Sequence, residues 1–489
     1  MELKKVVSLF PFYSVTKDIH NINIHAIKID SRKVTKGDLF VCIRGFTVDG
    51  HAFVNEAIAN GAVAIIAEQD VNASVPTIIV PDTSRALAML ATQYYDFPTE
   101  RLQLIGITGT NGKTTITYLL ESIFKQYQKK TGLIGTIQMK IGDQSIPIVN
   151  TTPDALELQQ SFYEMVKENV DVAMMEVSSH ALDLGRVYGC DFDIAIFTNL
   201  SQDHLDYHKD MDDYLQAKSL LFSQLGNTYD KEKLKYAVIN ADDSSSNYLK
   251  KCTAQPIITY GCENKADVTA SHIELSSHHT SFMLNTPKGS VTIKSQLIGM
   301  FNVYNMLAAS SAAIAANIPL TTIKEALASI TGVSGRFEQV KEGQNYTVIV
   351  DYAHTPDSLE NVLKTVKDIS KKNIYVVIGC GGDRDRDKRP LMADVAMTYA
   401  DLSIFTSDNP RSEDPEKIIK DMTNHLNEQH YETIIDRRQA IFRAIELAGA
   451  DDVVLIAGKG HETEQEIKGK VFEFDDRQVA KDAIRMKGM

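Results

Sequence analysis

The sequence predicts an α/β protein of three domains with parallel sheets, and three observations lead there. From about residue 100 onward, short β-branched runs alternate with helical stretches, the pattern that gives parallel sheets covered on both faces. Two clusters of chain-breaking residues interrupt that alternation. The length, 489 residues, is about three times a typical ~150-residue domain. The first break, Asp96-Phe97-Pro98-Thr99-Glu100, cuts a helical pattern just before an apolar run. The second, Gly332-Val333-Ser334-Gly335, follows an amphipathic helix and precedes a fresh strand-helix alternation. Domains are therefore expected over residues 1–98, 99–332 and 333–489.

The first of these mixes strands at residues 38–43, 62–67 and 77–80 with helices, as a small α/β unit. In the other two, each strand ends abruptly in polar, chemically capable residues. The middle segment has strands at 104–108 before Gly109, 170–175 before Glu176 and 194–198 before Asn199. The last has strands at 348–350 before Asp351, 375–378 before Gly379, 403–406 before Asp408 and 453–457 before Gly458. Ligands of open parallel sheets bind beyond the carboxyl ends of the strands, so these endings mark where chemistry is expected.

Composition narrows the function. Hydrophobic residues make up 43% and charged residues 24%, which excludes wholesale disorder. A net charge of −13 repels phosphate backbones, so bulk nucleic-acid binding is not expected. Five cysteines (Cys42, Cys190, Cys252, Cys262, Cys380), without CxxC spacing, read as reduced cytoplasmic thiols rather than a disulfide frame or zinc module. The apolar patch after Met1-Glu2-Leu3-Lys4-Lys5 stops at Pro11, too short for a signal-peptide core. No apolar run reaches the ~18 residues of a membrane span. A soluble cytoplasmic monomer is expected.

The strongest motif is Gly106-Ile107-Thr108-Gly109-Thr110-Asn111-Gly112-Lys113-Thr114-Thr115, between a strand and a helix expected to begin near Ile116. Glycines let backbone N–H groups close on phosphate oxygens, and the helix N-terminus adds positive potential. Lys113 would neutralise the terminal phosphates and the Thr114 hydroxyl would ligate Mg²⁺. Ile107 stands where GxxxxGK[ST] has its first glycine. Glu176, in Glu176-Val177-Ser178-Ser179-His180, is a strand-end carboxylate able to hold Mg²⁺ or to be a solvated acid. Asp203-His204-Leu205-Asp206-Tyr207-His208 carries two imidazoles and two carboxylates, without zinc spacing. Asn264-Lys265-Ala266-Asp267 matches NKxD of GTPases, but no aspartate from 143 to 243 has the glycine a DxxG switch requires. In the last segment, Gly381-Gly382-Asp383-Arg384-Asp385-Arg386 follows a strand and can present arginines to an anion or form a solvated loop. Asp408-Asn409-Pro410-Arg411 and Gly458-Lys459-Gly460-His461-Glu462 close two further strands.

Together with Gly335-Arg336-Phe337-Glu338 and Asp351-Tyr352-Ala353-His354, and in this order, these motifs resemble the Mur ligase family over essentially the whole chain. Asn150-Thr151-Thr152-Pro153, Asp408-Asn409-Pro410-Arg411 and Gly458-Lys459-Gly460-His461-Glu462 are similar to the subgroup that adds the third residue of the peptide. The resemblance implies a UDP-sugar domain, a central parallel-sheet P-loop ATPase domain and a Rossmann-like C-terminal domain that binds the amino acid. It implies that Ser31 contacts the UDP sugar, and that Thr151, Thr152, Ser178 and Arg186 hold the muramoyl-dipeptide end. Asn302, Arg336 and Asp351 match nucleotide contacts. Lys218, by itself a solvated helix lysine, matches one carried as a carbamate; with Thr114, Glu176 and His204 it would organise Mg²⁺. Arg384, Asp408, Asn409, Pro410, Arg411, Gly458 and Glu462 match the amino-acid site.

The implied reaction joins meso-2,6-diaminopimelate to UDP-N-acetylmuramoyl-L-alanyl-D-glutamate through an ATP-derived acyl phosphate. Arg411 offers a planar fork for a second carboxylate and would repel the ammonium of lysine, which makes lysine addition the alternative. Two further alternatives are a folylpolyglutamate-synthase-like ligase and a nucleotide-switched binding module. Acyl phosphates hydrolyse, so closure at the 332–335 joint is expected before chemistry.

Overall fold

The computed structural model describes residues 1–45, 48–148, 150–230, 233–276, 279–427 and 430–488. The chain forms two compact units, one of residues 1–106 and 130–193, the other of residues 107–129 and 194–489. The strand Gln103–Thr108 runs from the first into the second.

In the first unit, a five-stranded sheet has the order Ser14–Val15, Thr77–Ile79, Ala64–Ala67, Leu39–Val41, Ile27–Lys28, parallel except at its antiparallel first edge. Its central strands are apolar throughout because both faces are covered. Leu39, Val41, Ala64 and Ile66 pack against Leu87 and Leu90 of the helix Thr83–Tyr94, while Phe40 and Ile65 pack with Val54 and Ala57. That helix ends where the sequence places its first break. Asp96 and Phe97 both take left-handed backbone (φ 60° and 51°), and Pro98 opens a short 3-10 turn. The remaining strands of this unit include the parallel pair Thr131–Ile134 and Val172–Glu176, followed by the antiparallel strands Met139–Ile141 and Gln144–Ile146.

The second unit carries Ile194–Phe197, Tyr236–Asn240, Ile257–Gly261 and Val268–Leu275 in parallel succession, then Thr280–Thr286 and Gly289–Ser295 antiparallel. This antiparallel meander departs from the expected strand-helix alternation. Its strands alternate buried and exposed residues (Phe282 and Leu284 in, Ser281 and Met283 outward), the period-two signature of a sheet with one wet face.

A six-stranded sheet of the same unit has the order Glu338–Gln339, Thr347–Asp351, Val453–Ala457, Ile374–Ile378, Leu402–Phe405, Tyr431–Thr433, parallel but for its first strand. Helices cover both faces. Pro356–Ile369 buries Leu359, Val362, Leu363 and Val366 at helical spacing, and its start is fixed by the Thr355/Ser358 capping box with Pro356 at the first position. Arg437–Leu447 and Asp476–Lys487 pack the opposite face through Ala440, Ile441, Ala444, Val479 and Ala480. The parallel register puts Asp351, Gly379, Thr406 and Gly458 side by side at the carboxyl ends, where the sequence expected a ligand.

All five cysteines are free thiols. No described helix is long and apolar enough to cross a membrane.

Arg389, fully buried, holds the charged loop after Gly381-Gly382 in place. Its guanidinium donates to Glu413 (2.8 and 3.0 Å) and to Asp421 (2.7 Å). The bond to Arg389 pulls the Glu413 carboxyl down to about 2, from 4.5. A depressed carboxyl stabilises the fold fully above its unfolded value and loses that contribution as pH falls through its folded one. Arg389→Ala, which removes the buried cation but leaves the Asp383 amide on Glu413 and Arg386 on Asp421, is expected to cost about 1.5–3 kcal/mol in urea unfolding at pH 7. The wild-type advantage should fade from pH 4.5 towards pH 2, and a constant difference across that window would disprove the assignment.

Candidate active site

The phosphate loop lies wholly in the second unit. The helix Lys113–Gln126 begins three residues earlier than the sequence suggested, with Gly112 as its N-cap at φ 90°. The first-turn amides of Lys113 and its neighbours thus belong to the anion-binding end. A side chain at Gly112 would put its Cβ 2.4 Å from Asn305 Oδ1, and one at Gly109 would sit 1.8 Å from Thr198 Oγ1. The loop is strapped to the end of the neighbouring strand. Thr110 N donates to Asn199 O (2.8 Å), Asn111 N to Asn199 Oδ1 (2.9 Å) and Thr198 Oγ1 to Asn111 O (2.7 Å). Ile107, in place of the missing first glycine, is fully buried in the preceding strand and leaves the loop geometry to Gly109 and Gly112.

Two ammonium groups converge on this loop. Lys113 Nζ donates to Gly109 O (2.9 Å) and Thr110 O (2.8 Å), and Lys218 Nζ donates to the same Gly109 O at 2.9 Å. Lys218, on the helix Met211–Ser223, is 1% exposed and lies 4.2 Å above the Tyr214 ring. Burial, reinforced by the charge of Lys113, pushes its ammonium well below the ordinary lysine value, and Asp203 offsets this only in part. The solvated helix lysine that Lys218 would be by sequence alone is thus replaced by a buried amine.

Asp203 is kept ionised against burial by His204, His354 and Lys388. His204 has left-handed backbone (φ 56°), its Nε2 is 3.4 Å from Asp203 Oδ2, and its ring meets Tyr214 edge-on. His208 turns instead to Asp213 (3.3 Å). Asn302 accepts from Asn305 Nδ2 (3.1 Å), whose own carbonyl abuts Gly112.

The last segment reaches this loop within the same unit. Arg336 donates to Thr114 Oγ1 (3.1 Å) and lies 4.3 Å above the Tyr352 ring. Asp351 is clamped by the amides of Phe337 (2.6 Å) and Ala353 (2.7 Å), although burial raises its carboxyl. Asp357, which sequence reasoning passed over, accepts from Asn111 Nδ2 (2.8 Å) and Ser201 Oγ (2.9 Å). Its only sequence signal is its place in the first turn of a helix that opens Thr355-Pro356-Asp357.

The expected amino-acid residues also gather in this unit. Asn409 donates to Glu462 Oε2 (2.9 Å), and Lys459 bridges Asn409 Oδ1 (3.0 Å) and Glu462 Oε2 (2.9 Å). Burial and the nearby Asp408 raise the Glu462 carboxyl against the pull of Lys459. Gly458 has no room for a side chain, since its Cβ would sit 2.7 Å from Asp408 Oδ2. Arg411 takes left-handed backbone (φ 51°) because its own N–H and C=O pair with Glu466 and Lys468. Its guanidinium donates to Gly382 O (2.7 Å) and stands 3.7 Å from Glu466, while Gly381 lies between Arg411 and Arg384. The fully buried Lys459 was not singled out from sequence.

The first unit holds the rest. Glu176 ends its strand as expected, is buried rather than solvated, and accepts from Thr136 N (2.8 Å) and Thr136 Oγ1 (3.0 Å). Thr152 Oγ1 donates to Glu176 O (2.8 Å) and Arg186 to Thr152 O (3.1 Å), while Ser178 caps the helix Ser179–Asp183. Thr151 pairs with Thr136 (3.1 Å). Thr151, Thr152, Ser178, Arg186 and Glu176 therefore form one network. Ser31 is apart from it, buried in a 3-10 turn with its hydroxyl on Glu56 (2.7 Å). Among the described residues there is no cluster of three or more His, Cys, Asp or Glu side chains able to hold a metal.

Comparisons with known proteins match three segments to family models: "Mur ligase family, catalytic domain" at 23–95, "Mur ligase middle domain" at 107–313, and "Mur ligase, glutamate ligase domain" at 335–460. The UDP-N-acetylmuramoyl-L-alanyl-D-glutamate–2,6-diaminopimelate ligase of Oceanobacillus iheyensis is 61% identical over 492 residues, covering 100% of each chain. The enzyme of the same name from Geobacillus thermodenitrificans is 56% identical, covering 99% of each. A solved structure of a ligase with that name matches with a TM-score of 0.69 at 36% identity, covering 99% of both chains.

The buried amine of Lys218 makes a pH signature. A lysine whose folded value is depressed opposes folding wherever it is protonated, and the opposition lifts as pH rises from its folded value towards 10.5. In CO2-free buffer, wild type should gain stability relative to Lys218→Met across that window, measured by urea unfolding at stepped pH. A pH-independent difference would mean that Lys218 is protonated in the fold.

Proposed function

This chain belongs to the Mur ligase family, and on that premise we propose that it ligates meso-2,6-diaminopimelate to UDP-N-acetylmuramoyl-L-alanyl-D-glutamate at the expense of ATP, in peptidoglycan precursor synthesis. The names of its two relatives and of the 36%-identical structure support the substrate pair. The observation that carries the chemistry is the bond from Arg336 to Thr114, which joins the segment bearing the amino-acid residues to the phosphate loop. Domains at 1–98, 99–332 and 333–489, each containing one matched segment, would bind UDP sugar, ATP and amino acid respectively.

Amide formation from a carboxylate and an ammonium is uphill in water. The D-glutamyl γ-carboxylate therefore attacks the γ-phosphorus of ATP, the bond to the β-phosphate oxygen breaks, and ADP leaves behind an acyl phosphate. The diaminopimelate amine, having lost a proton, attacks the acyl carbon, and inorganic phosphate departs. Phosphoryl transfer needs positioning and charge neutralisation above all. The amides of the first helical turn from Lys113 to Thr115 would cradle the triphosphate, with the loop before them held open by the Thr110 and Asn111 bonds to Asn199; Lys113 follows the moving charge, and Asn302, Arg336 and Asp351 hold the nucleotide. Thr151, Thr152, Ser178 and Arg186 hold the muramoyl-dipeptide and Ser31 the UDP sugar.

Mg²⁺ takes hard oxygen donors, and the family resemblance assigns Thr114, Glu176 and His204 to that role, in which the Thr114 hydroxyl and the Glu176 carboxylate would each offer an oxygen. It would neutralise the phosphate oxygens. Lys218 as an amine does not fit such a shell; as a carbamate it does. Its depressed basicity supports that modification, because the neutral amine is the form that adds CO2. The carbamate would exchange repulsion by Lys113 for attraction. The amino-acid pocket is assigned to Arg384, Asp408, Asn409, Pro410, Arg411, Gly458 and Glu462, with Arg411 reading the distal carboxylate. The protein is proposed to work as a cytoplasmic monomer.

ADP release against a panel of amino acids, with the UDP-sugar dipeptide present, tests the whole reading. Diaminopimelate should drive it, and lysine or folate should not. Arg411→Ala should raise the diaminopimelate KM about 10- to 100-fold, the worth of a charged hydrogen bond, and leave the ATP KM alone. Equal losses for both substrates would make Arg411 structural. Lys218→Ala should be inactive and regain turnover with an added short carboxylate such as acetate; full activity without rescue would exclude the carbamate.

A further inference from the structure

The amino-acid pocket draws on three loops, and two of them leave strands which are not neighbours. Asp408–Arg411 follows Leu402–Phe405 and Gly458–Glu462 follows Val453–Ala457, with Ile374–Ile378 between the two strands. Sheet hydrogen bonds alone therefore do not tie one loop to the other. Beyond the strands the loops meet where Asn409 bonds Glu462 and Lys459, and at their bases Arg437 joins them. Its NH2 donates to Ala457 O (2.9 Å), one residue before Gly458, and its NH1 to Ser407 O (3.4 Å), one residue before Asp408. The guanidinium is held in that plane by a fork to Asp476, Nε to Oδ1 at 2.8 Å and NH2 to Oδ2 at 2.7 Å. Both side chains are fully buried.

Two features argue against a filler role. Arg437 is the first residue of the helix Arg437–Leu447, where a cation opposes the helix dipole. A buried ion pair is itself weak evidence for stability, since apolar replacements of similar volume often do as well. What an apolar pair cannot do is donate to two carbonyls on separate strands at once. The adjoining residue extends the brace, because Arg477 donates to His461 O (3.4 Å), to Asp475 (2.7 Å) and to the Ser334 hydroxyl. Asp475 to Arg477 thus hold the start and the middle of the Gly458–Glu462 loop from a single helix N-terminus.

We propose that Arg437, oriented by Asp476, is a positioning residue for amino-acid binding, setting the separation between the Asp408–Arg411 and Gly458–Glu462 loops without touching the substrate. This rests on the assignment of those loops to diaminopimelate. Misplacing a binding group by about 1 Å can cost ~10²-fold, and the loss should fall on one substrate only.

The test compares Arg437→Met/Asp476→Val, which removes the charges together, with Arg437→Lys, which keeps a cation on Asp476 but loses the planar fork. Urea unfolding, kcat, and the KM values for ATP and diaminopimelate are measured on each full-length protein. The double variant should unfold near the wild-type midpoint, keep its ATP KM, and show a diaminopimelate KM raised about 10- to 100-fold. Arg437→Lys should show the same split, and it carries the test if the double variant does not fold. A normal diaminopimelate KM in either folded variant overturns the inference, as does a common fall in kcat with both KM values unchanged. Arg411→Ala is the control. If it too leaves the diaminopimelate KM normal, the assignment of the pocket fails, and the role of Arg437 fails with it.

Discussion

Two lysine ammonium groups share the carbonyl of Gly109, and much of the site follows from that arrangement. Like charges a few ångströms apart in a buried setting cannot both stay protonated at low cost. One of them, Lys113, belongs to the flexible-backbone loop, whose geometry is locked by Thr198, Asn199 and Asn305. The other, Lys218, is sealed under Tyr214, and burial together with the charge of Lys113 pushes its ammonium well below the ordinary lysine value. Under the carbamate proposed above, that conflict between two cations would become a pair. The loop is thus strained in charge rather than in backbone.

The same economy governs the last segment. Its charged groups answer to one another before they answer to any substrate: Arg389 to Glu413 and Asp421, Lys459 to Asn409 and Glu462, Arg437 to Asp476. The Glu462 carboxyl is raised by burial and by Asp408, against the pull of Lys459 and Asn409. A pocket meant for a molecule with several charges needs such internal neutralisation. Otherwise the empty site would carry unpaired buried charge, which costs several kcal/mol per ion.

Much of this was legible in the sequence because strand-end chemistry in parallel sheets is local. The endings at Gly109, Asp351, Asp408 and Gly458 could be read one strand at a time, and the break at Asp96 to Glu100 fell where the helix stops. Glu176 ends its strand as read, but its pairing with Thr136, forty residues away, was not legible. The antiparallel meander over 268–295 was invisible to a search for strand-helix alternation. Lys218 could not be distinguished from a solvated helix lysine, since its burial depends on a loop one hundred and nine positions earlier. Asp357 and Arg437 were missed for the same reason. Each acts through partners brought by other strands, and neither sits in a motif of its own.

Those missed residues share a feature that follows from the topology. A parallel sheet fixes each strand to its neighbours, but its ladder of hydrogen bonds stops where the loops beyond the carboxyl ends begin. Any site made from several loops then needs connectors that are not part of the sheet. Here the connectors come from the first turns of helices: Asp357 from Pro356–Ile369, Arg437 from Arg437–Leu447, and Asp476 with Arg477 from Asp476–Lys487. A helix start is a good anchor, because its first turn is fixed by a capping residue (Thr355, Asp436 and Asp475 in these three) and cannot drift with the loop. The capped turns therefore act as the rigid frame on which the loops of this ligase are hung, and the precision of the site is set as much by these helix starts as by the residues that face the substrates.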